Sequence, residues 1–177
     1  ADPRWNVPMA DLVAQFDFLI GVRDRVSEAN EAVLTARDVK SQVTDRLKQA
    51  PQLADQGKAL SGKVTEVEGE IYQIKNQSSQ DPLNYPIKLN NKIAALLGMA
   101  GSSPGRPPAQ ATQVFTELNA KLNVQMKRMD KVYSDDLKAF NDQLKKLGLP
   151  EVTPKKKAPN VAADADADGD SSEGATR

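Results

Sequence analysis

Apolar side chains recur along this chain at intervals of three and four, interrupted only by stretches rich in proline, glycine or amides. From Met9 to about Gln49 nothing but Gly21 breaks a helical pattern. Leu12, Phe16, Leu19, Val26, Val33 and Leu47 form its stripe, the mark of a helix that buries one face. The preceding ADPRWNVP reads as extended, because proline biases the residue before it away from helix; Pro8 suits a first turn, where an amide donor would have no partner. Pro51 marks the next start, and a second helix is predicted over Gln52–Asn76 with Leu53, Leu60, Val64, Val67, Ile71 and Ile74 as its stripe. So short a connection predicts an antiparallel hairpin, with Leu47 near Leu53 and Val33 near Val67.

QSSQDPLNYP (Gln77–Pro86) reads as a true connection, carrying two prolines and several turn-forming side chains. A shorter helix is predicted over Ile87–Met99 with Leu89, Ile93, Leu96 and Leu97, followed by the loop GSSPGRPP (Gly101–Pro108), whose residues cannot supply a core. The last helix starts near Ala109 and carries Phe115, Leu118, Leu122, Met129 and Val132. Ser134, Asp135 and Asp136 admit two readings, a cap that restarts the helix or an exposed turn of a continuous one. Leu137, Phe140, Leu144 and Leu147 extend the spacing to Gly148, and a glycine followed by Pro150 is a helix stop. No segment shows sustained strand alternation. The pattern predicts an all-α, up-and-down bundle of three long helices plus one shorter helix, with coiled-coil-like packing. That domain covers residues 1–153; residues 154–177, nearly devoid of bulky apolar side chains, read as a disordered low-complexity tail.

Composition narrows the chemistry. The 177 residues include no cysteine and no histidine. Disulfides, thiolate sites, imidazole metal ligands and Ser-His-Asp triads are therefore excluded, while carboxylate, lysine or tyrosine catalysis is not. The charges balance at 24 basic against 24 acidic and are interspersed, without the basic face expected of a nucleic-acid binder. No run approaches the roughly 18 apolar residues of a membrane span. The N-terminus shows neither a signal pattern nor an initiator Met, so Ala1 is expected to be a processed end or a cut within a longer chain.

Several features could carry function. Arg23, Asn30 and Arg37 stand seven residues apart, in register with the first stripe. Either they form polar layers that pair with carboxylates such as Glu66 or Glu70, or helical drift carries them to the edge, where their stems cover apolar surface and their heads reach water. The amide-rich stretch Asn76–Asn91 offers Asn76, Gln77, Gln80, Asn84, Tyr85, Asn90 and Asn91 as a candidate interaction surface, although amides also cap helices and stabilise turns. Ile20, Val22 and Leu34 lie off the main stripes and are candidate contacts. DADADGD (Asp164–Asp170) has the opening of a calcium loop, but Ala175 stands where the closing acidic ligand belongs, so an acidic tail explains it better. Lys155–Lys157 is too short for a polybasic anchor, GSSPGRPP lacks the ending of a phosphate loop, and adjacent Asp135 and Asp136 point about 100° apart on a helix.

DLVAQFDFLIGVRDRVSEANEAV (Asp11–Val33), IYQIKNQSSQDPLNYPIKLNNKIAALLGM (Ile71–Met99) and FNDQLKKLGLPEV (Phe140–Val152) together resemble the C-terminal helical region that follows the sortilin-like, BNR-repeat propellers of large bacterial proteins, often labelled glycosyl hydrolase or photosystem stability factor-like. The likeness spans most of Asp2–Val152. It implies a helical appendage without catalytic motif or cofactor, in an extracytoplasmic (periplasmic or secreted) protein. The chain itself has no propeller. The expectation is a non-catalytic structural or protein-interaction domain whose partner is its own propeller or another chain. A component of a carbohydrate-active enzyme and a free-standing homo-oligomeric bundle are the alternatives.

Overall fold

In the computed structural model, which describes residues 6–75, 80 and 83–155, one helix of 41 residues sets the length of the molecule. This helix, α1 (Met9–Gln49), would extend about 60 Å at 1.5 Å per residue. Asp11 lies in its first turn and Arg46 and Lys48 in its last, each matching the helix dipole. Ala50 ends it, and a 3₁₀ turn over Pro51–Leu53 reverses the chain into α2 (Ala54–Ile71). After the connection come α3 (Leu89–Gly101), α4 (Ala109–Val132), a π-turn over Tyr133–Leu137, and α5 (Lys138–Lys146). There is no strand among the described residues.

The layout is a three-armed bundle with a broken middle arm. Arg37 meets Glu68, and Leu47 faces Gly57, so α2 runs antiparallel to the C-terminal half of α1 as the predicted hairpin requires. Asn30 meets Asn90, and Gln15 meets the end of α3, so α3 runs antiparallel to the N-terminal half of the same helix. The third arm, α4 through α5, runs parallel to α1. Phe18 packs edge-on against Phe115 at 5.4 Å, and Arg25 donates to Asn119 and Asn123 at 3.0 and 2.7 Å.

The core joins Val22, Val33, Val39 and Val43 of α1 with Leu60, Val64, Val67 and Ile71 of α2, Ile93 and Leu96 of α3, and Leu122, Phe140 and Leu144 of the third arm. The buried row of α1 is Val22, Ala29, Ala36 and Val43, set seven apart. Two expectations change with it. Val22 is a fully buried core residue rather than a surface contact, and Phe16, placed in the stripe from its bulk, is 63% exposed. The predicted second helix ends five residues early, at Ile71, and Ile74 is exposed. Ser134, Asp135 and Asp136 do not cap or restart a helix; they lie in a turn of a continuous one, the second of the two readings. They sit in the π-turn, which adds a residue to a turn and keeps Leu137, Phe140 and Leu144 on the buried side.

Gly148, at φ +67°, closes α5. Its N–H donates to Lys145 and that of Leu149 donates to Leu144, satisfying carbonyls that the helix end leaves unpaired. Beyond it, residues 149–155 form a strap back along α1. Val152 is buried in the core, and the amide of Asn141 takes both its N–H and its C=O, at 2.8 and 2.9 Å. Gln42 does the same for Thr153, at 3.0 and 2.9 Å. Asn76, Gln77 and the DADADGD motif lie outside the described residues.

Candidate interaction surfaces

The seven-residue series on α1 does three different things, because each member follows the buried row by one position and so lies about 100° from it. Arg23 is exposed and pairs with its neighbour Asp24 at 2.7 Å. The amide of Asn30 accepts from Nδ2 of Asn90 at 3.2 Å. Arg37 donates from Nε to Glu68 at 2.8 Å and lies over the ring of Tyr72 at 5.0 Å. The acidic partner is thus Glu68, not Glu66 or Glu70; Glu70 sits near Lys88 instead, at 3.5 Å.

Glu68 is the only buried charged residue among the described residues, at 2% exposure. Its second oxygen accepts from Lys40 at 2.5 Å, and Lys40 also reaches Thr65. The bond to Glu68 pushes the Arg37 guanidinium further up from its ordinary value, against the opposing effect of burial. This cluster ties α1 to α2. Two cations meet one carboxylate there, and both of its oxygens are bonded. Nearby, the Tyr133 hydroxyl is buried without a hydrogen-bond partner among the described residues; burial first, then the charges of Asp130, Glu68 and Asp38, push its phenol up to about 12.

The amide-rich connection divides along similar lines. Gln80, Asn84, Tyr85 and Asn91 are exposed, whereas Asn90 is buried, where it bonds Asn30 and accepts from the Asn91 N–H at 2.7 Å. Asn90 is therefore part of the α1–α3 packing rather than of a docking face. Gln73 spans the base of the connection by donating to the Pro86 carbonyl at 2.9 Å. The Lys75 ammonium lies 5.3 Å from the Tyr85 ring, and Leu83 is 87% exposed.

An apolar stripe stands uncovered at the start of α1. Met9, Val13 and Phe16 are exposed at 68%, 50% and 63%, and Ile20 continues the same face. Spacings of four, three and four put all four on one side of the helix, away from α3 and α4. Leu34 is exposed further along the same face.

A separate cleft of about 230 Å³ opens between α1 and α4. Glu28, Glu31, Ala32 and Thr35 line one wall; Met126, Met129, Asp130 and Tyr133 line the other; Pro154 of the strap closes one end. Its rim is acidic and its floor apolar. No three acidic side chains gather closely enough to hold a metal ion among the described residues, and no helix described is long and apolar enough to cross a membrane. No protein-family model matches the chain, nor does any curated protein or solved structure.

Proposed function

We infer that this chain is a non-catalytic interaction domain, the C-terminal helical appendage of an exported, propeller-containing protein, working outside the cytoplasm. The observation that carries the interaction reading is the stripe Met9, Val13, Phe16 and Ile20. Three exposed apolar side chains, with half-buried Ile20 in line with them, lose free energy to water in the isolated chain and regain it on docking. The connection around Leu83 and Tyr85 supplies a second exposed surface. The propeller context rests on the resemblance of residues 11–33, 71–99 and 140–152.

The test is the mass of the native polypeptide in its source cells, detected with an antibody against the bundle, combined with sedimentation of the purified chain and its Val13→Ser/Phe16→Ser variant. A native species much larger than 19.2 kDa, with a purified chain that sediments as a monomer, supports an appendage. A free species of the chain's own mass refutes it. A purified dimer that the variant converts to monomer transfers the stripe to the homo-oligomer reading.

One observation favours a second reading, a component of a carbohydrate-active enzyme: Glu28 and Glu31 face Asp130 across the α1/α4 cleft. Glycosidases use two carboxylates about 5–10 Å apart. The cleft is smaller than the usual pocket of about 300–1,000 Å³, and Glu28 is engaged by Arg25. Sugar release by the full chain, lost in Glu31→Gln and Asp130→Asn, would establish this reading in place of the first.

A further inference from the structure

The strap and the α1/α4 cleft point to an occupant. Along α1 the strap is held by Arg46 at the Pro150 carbonyl, by Gln42 at Thr153, and by Thr35 at the Lys155 carbonyl. From Arg46 to Thr35 the helix rises about 16 Å, and the five steps from Pro150 to Lys155 span nearly the same distance at about 3.3 Å each. The strap is therefore extended and runs straight down the groove. Pro154 already forms one end of the cleft. Two more residues in the same direction cover about 6–7 Å, which is one turn of α1 and reaches the level of Glu31, with Glu28 a turn beyond. Those two residues are Lys156 and Lys157.

We propose that the cleft is the seat of the chain's own Lys156 and Lys157, whose ammonium groups pair with Glu31 and Asp130 and share Glu28 with Arg25, while their stems lie on Met126, Met129 and Ala32. The chemistry of the walls fits this side chain: a lysine has an aliphatic stem about four carbons long and one cation, and the cleft has an apolar floor beneath an acidic rim. Charge is matched locally although the chain as a whole is neutral. The proposal does not depend on the function inferred above, because it concerns only what fills the cleft of the full chain.

The test uses the full chain labelled at its methionine methyl groups. The sequence has four methionines, two of which (Met126 and Met129) line the cleft, while Met9 and Met99 lie elsewhere and serve as controls for folding. Lys156→Glu/Lys157→Glu, and separately a chain ending at Lys155, are expected to shift the Met126 and Met129 signals and leave Met9 and Met99 in place. Zero-length carbodiimide coupling of the parent chain is expected to join Lys156 or Lys157 to Glu28, Glu31 or Asp130 within one molecule, and raised salt is expected to suppress it. Unmoved Met126 and Met129 signals in both variants would overturn the proposal. So would cross-links found only between differently isotope-labelled chains, which would make a second copy the occupant.

Discussion

Glu68 offers the sharpest test of the packing. It lies at 2% exposure with both oxygens bonded, whereas its partners Arg37 and Lys40 are 47% and 26% exposed. The pair is lopsided, and the lopsidedness dictates which half matters. In Arg37→Met/Lys40→Met the carboxylate stays in the core without a cation, a situation that costs about 3–5 kcal/mol. About 0.5–1 kcal/mol of the loss reflects the Arg37–Tyr72 contact, and Tyr72→Leu, which leaves the ion pair in place, measures that part separately. In Glu68→Met the buried charge itself is removed, a side chain of similar length fills the space, and both cations turn to water. That variant is expected within about 1 kcal/mol of the parent, because replacing a buried ion by a well-packed apolar group recovers its desolvation cost. Urea unfolding followed by far-ultraviolet circular dichroism supplies the comparison, provided the slope with denaturant is unchanged among variants. If Glu68→Met loses more stability than the double replacement of its cations, the carboxylate is not buried as described and the reasoning fails.

Three further outcomes are expected. Leu122→Ala, at a position with no exposure, should cost about 2–5 kcal/mol in the same assay, and a loss below about 1 kcal/mol would mean that the α4 core packs loosely. Gly62→Ala, Gly69→Ala and Gly98→Ala meet nothing within 4 Å and should each stabilise by about 0.5–1 kcal/mol, whereas a Cβ on Gly57 would come within 2.8 Å of Leu47, so Gly57→Ala should gain less or lose. Tyr133 should titrate at about 12 in the folded chain, against about 10 once unfolded; its contribution is whole below about pH 10 and lost as pH rises to about 12. In absorbance titrations Tyr133→Phe should remove this late step, and because the lost hydroxyl has no partner among the described residues the variant should be no less stable than the parent.

The two ends of α1 and the stop after α5 were legible because each is a local event. Met9–Gln49 is the span predicted from Pro8 and Pro51, and Gly148 ends the last helix as its sequence position implies. What the pattern of bulky residues misjudged was the direction of the buried face of α1. Its central row is Val22, Ala29, Ala36 and Val43, and alanine gives almost no signal in a search for large apolar side chains although it marks where helices approach most closely. Phe16 drew the stripe away from that row. An uninterrupted seven-residue series of small apolar residues was the available clue. The π-turn left less trace, since Tyr133–Leu137 contains no helix breaker and the extra residue is needed only to hold Leu137 and Phe140 on the core side.

The surfaces were harder to read for a reason that lies in topology. Glu68 looked like one more solvated glutamate of α2, because its burial depends on α1 delivering Arg37 and Lys40 to it. The α1/α4 cleft depends on those two helices being parallel. Parallel neighbours arise here only because α2 and α3 together make a single return arm, with α2 against one half of α1 and α3 against the other. Had the four helices alternated as separate full-length arms, α1 and α4 would be antiparallel, and the wall of Glu28, Glu31 and Thr35 would meet α4 in the reverse register from the one that sets it against Asp130 and Tyr133. The strap completes that arrangement from the far end. Asn141 and Gln42, two amides with no signal of their own, hold the backbone of Val152 and Thr153 as a neighbouring strand would, and so aim the chain at the cleft. Loosening that aim without touching the cleft separates geometry from charge. Gln42→Ala should therefore weaken the coupling of Lys156 and Lys157 to Glu28 and Glu31 while every charged group remains, and unchanged coupling would mean that charge alone, not the strap, brings them together.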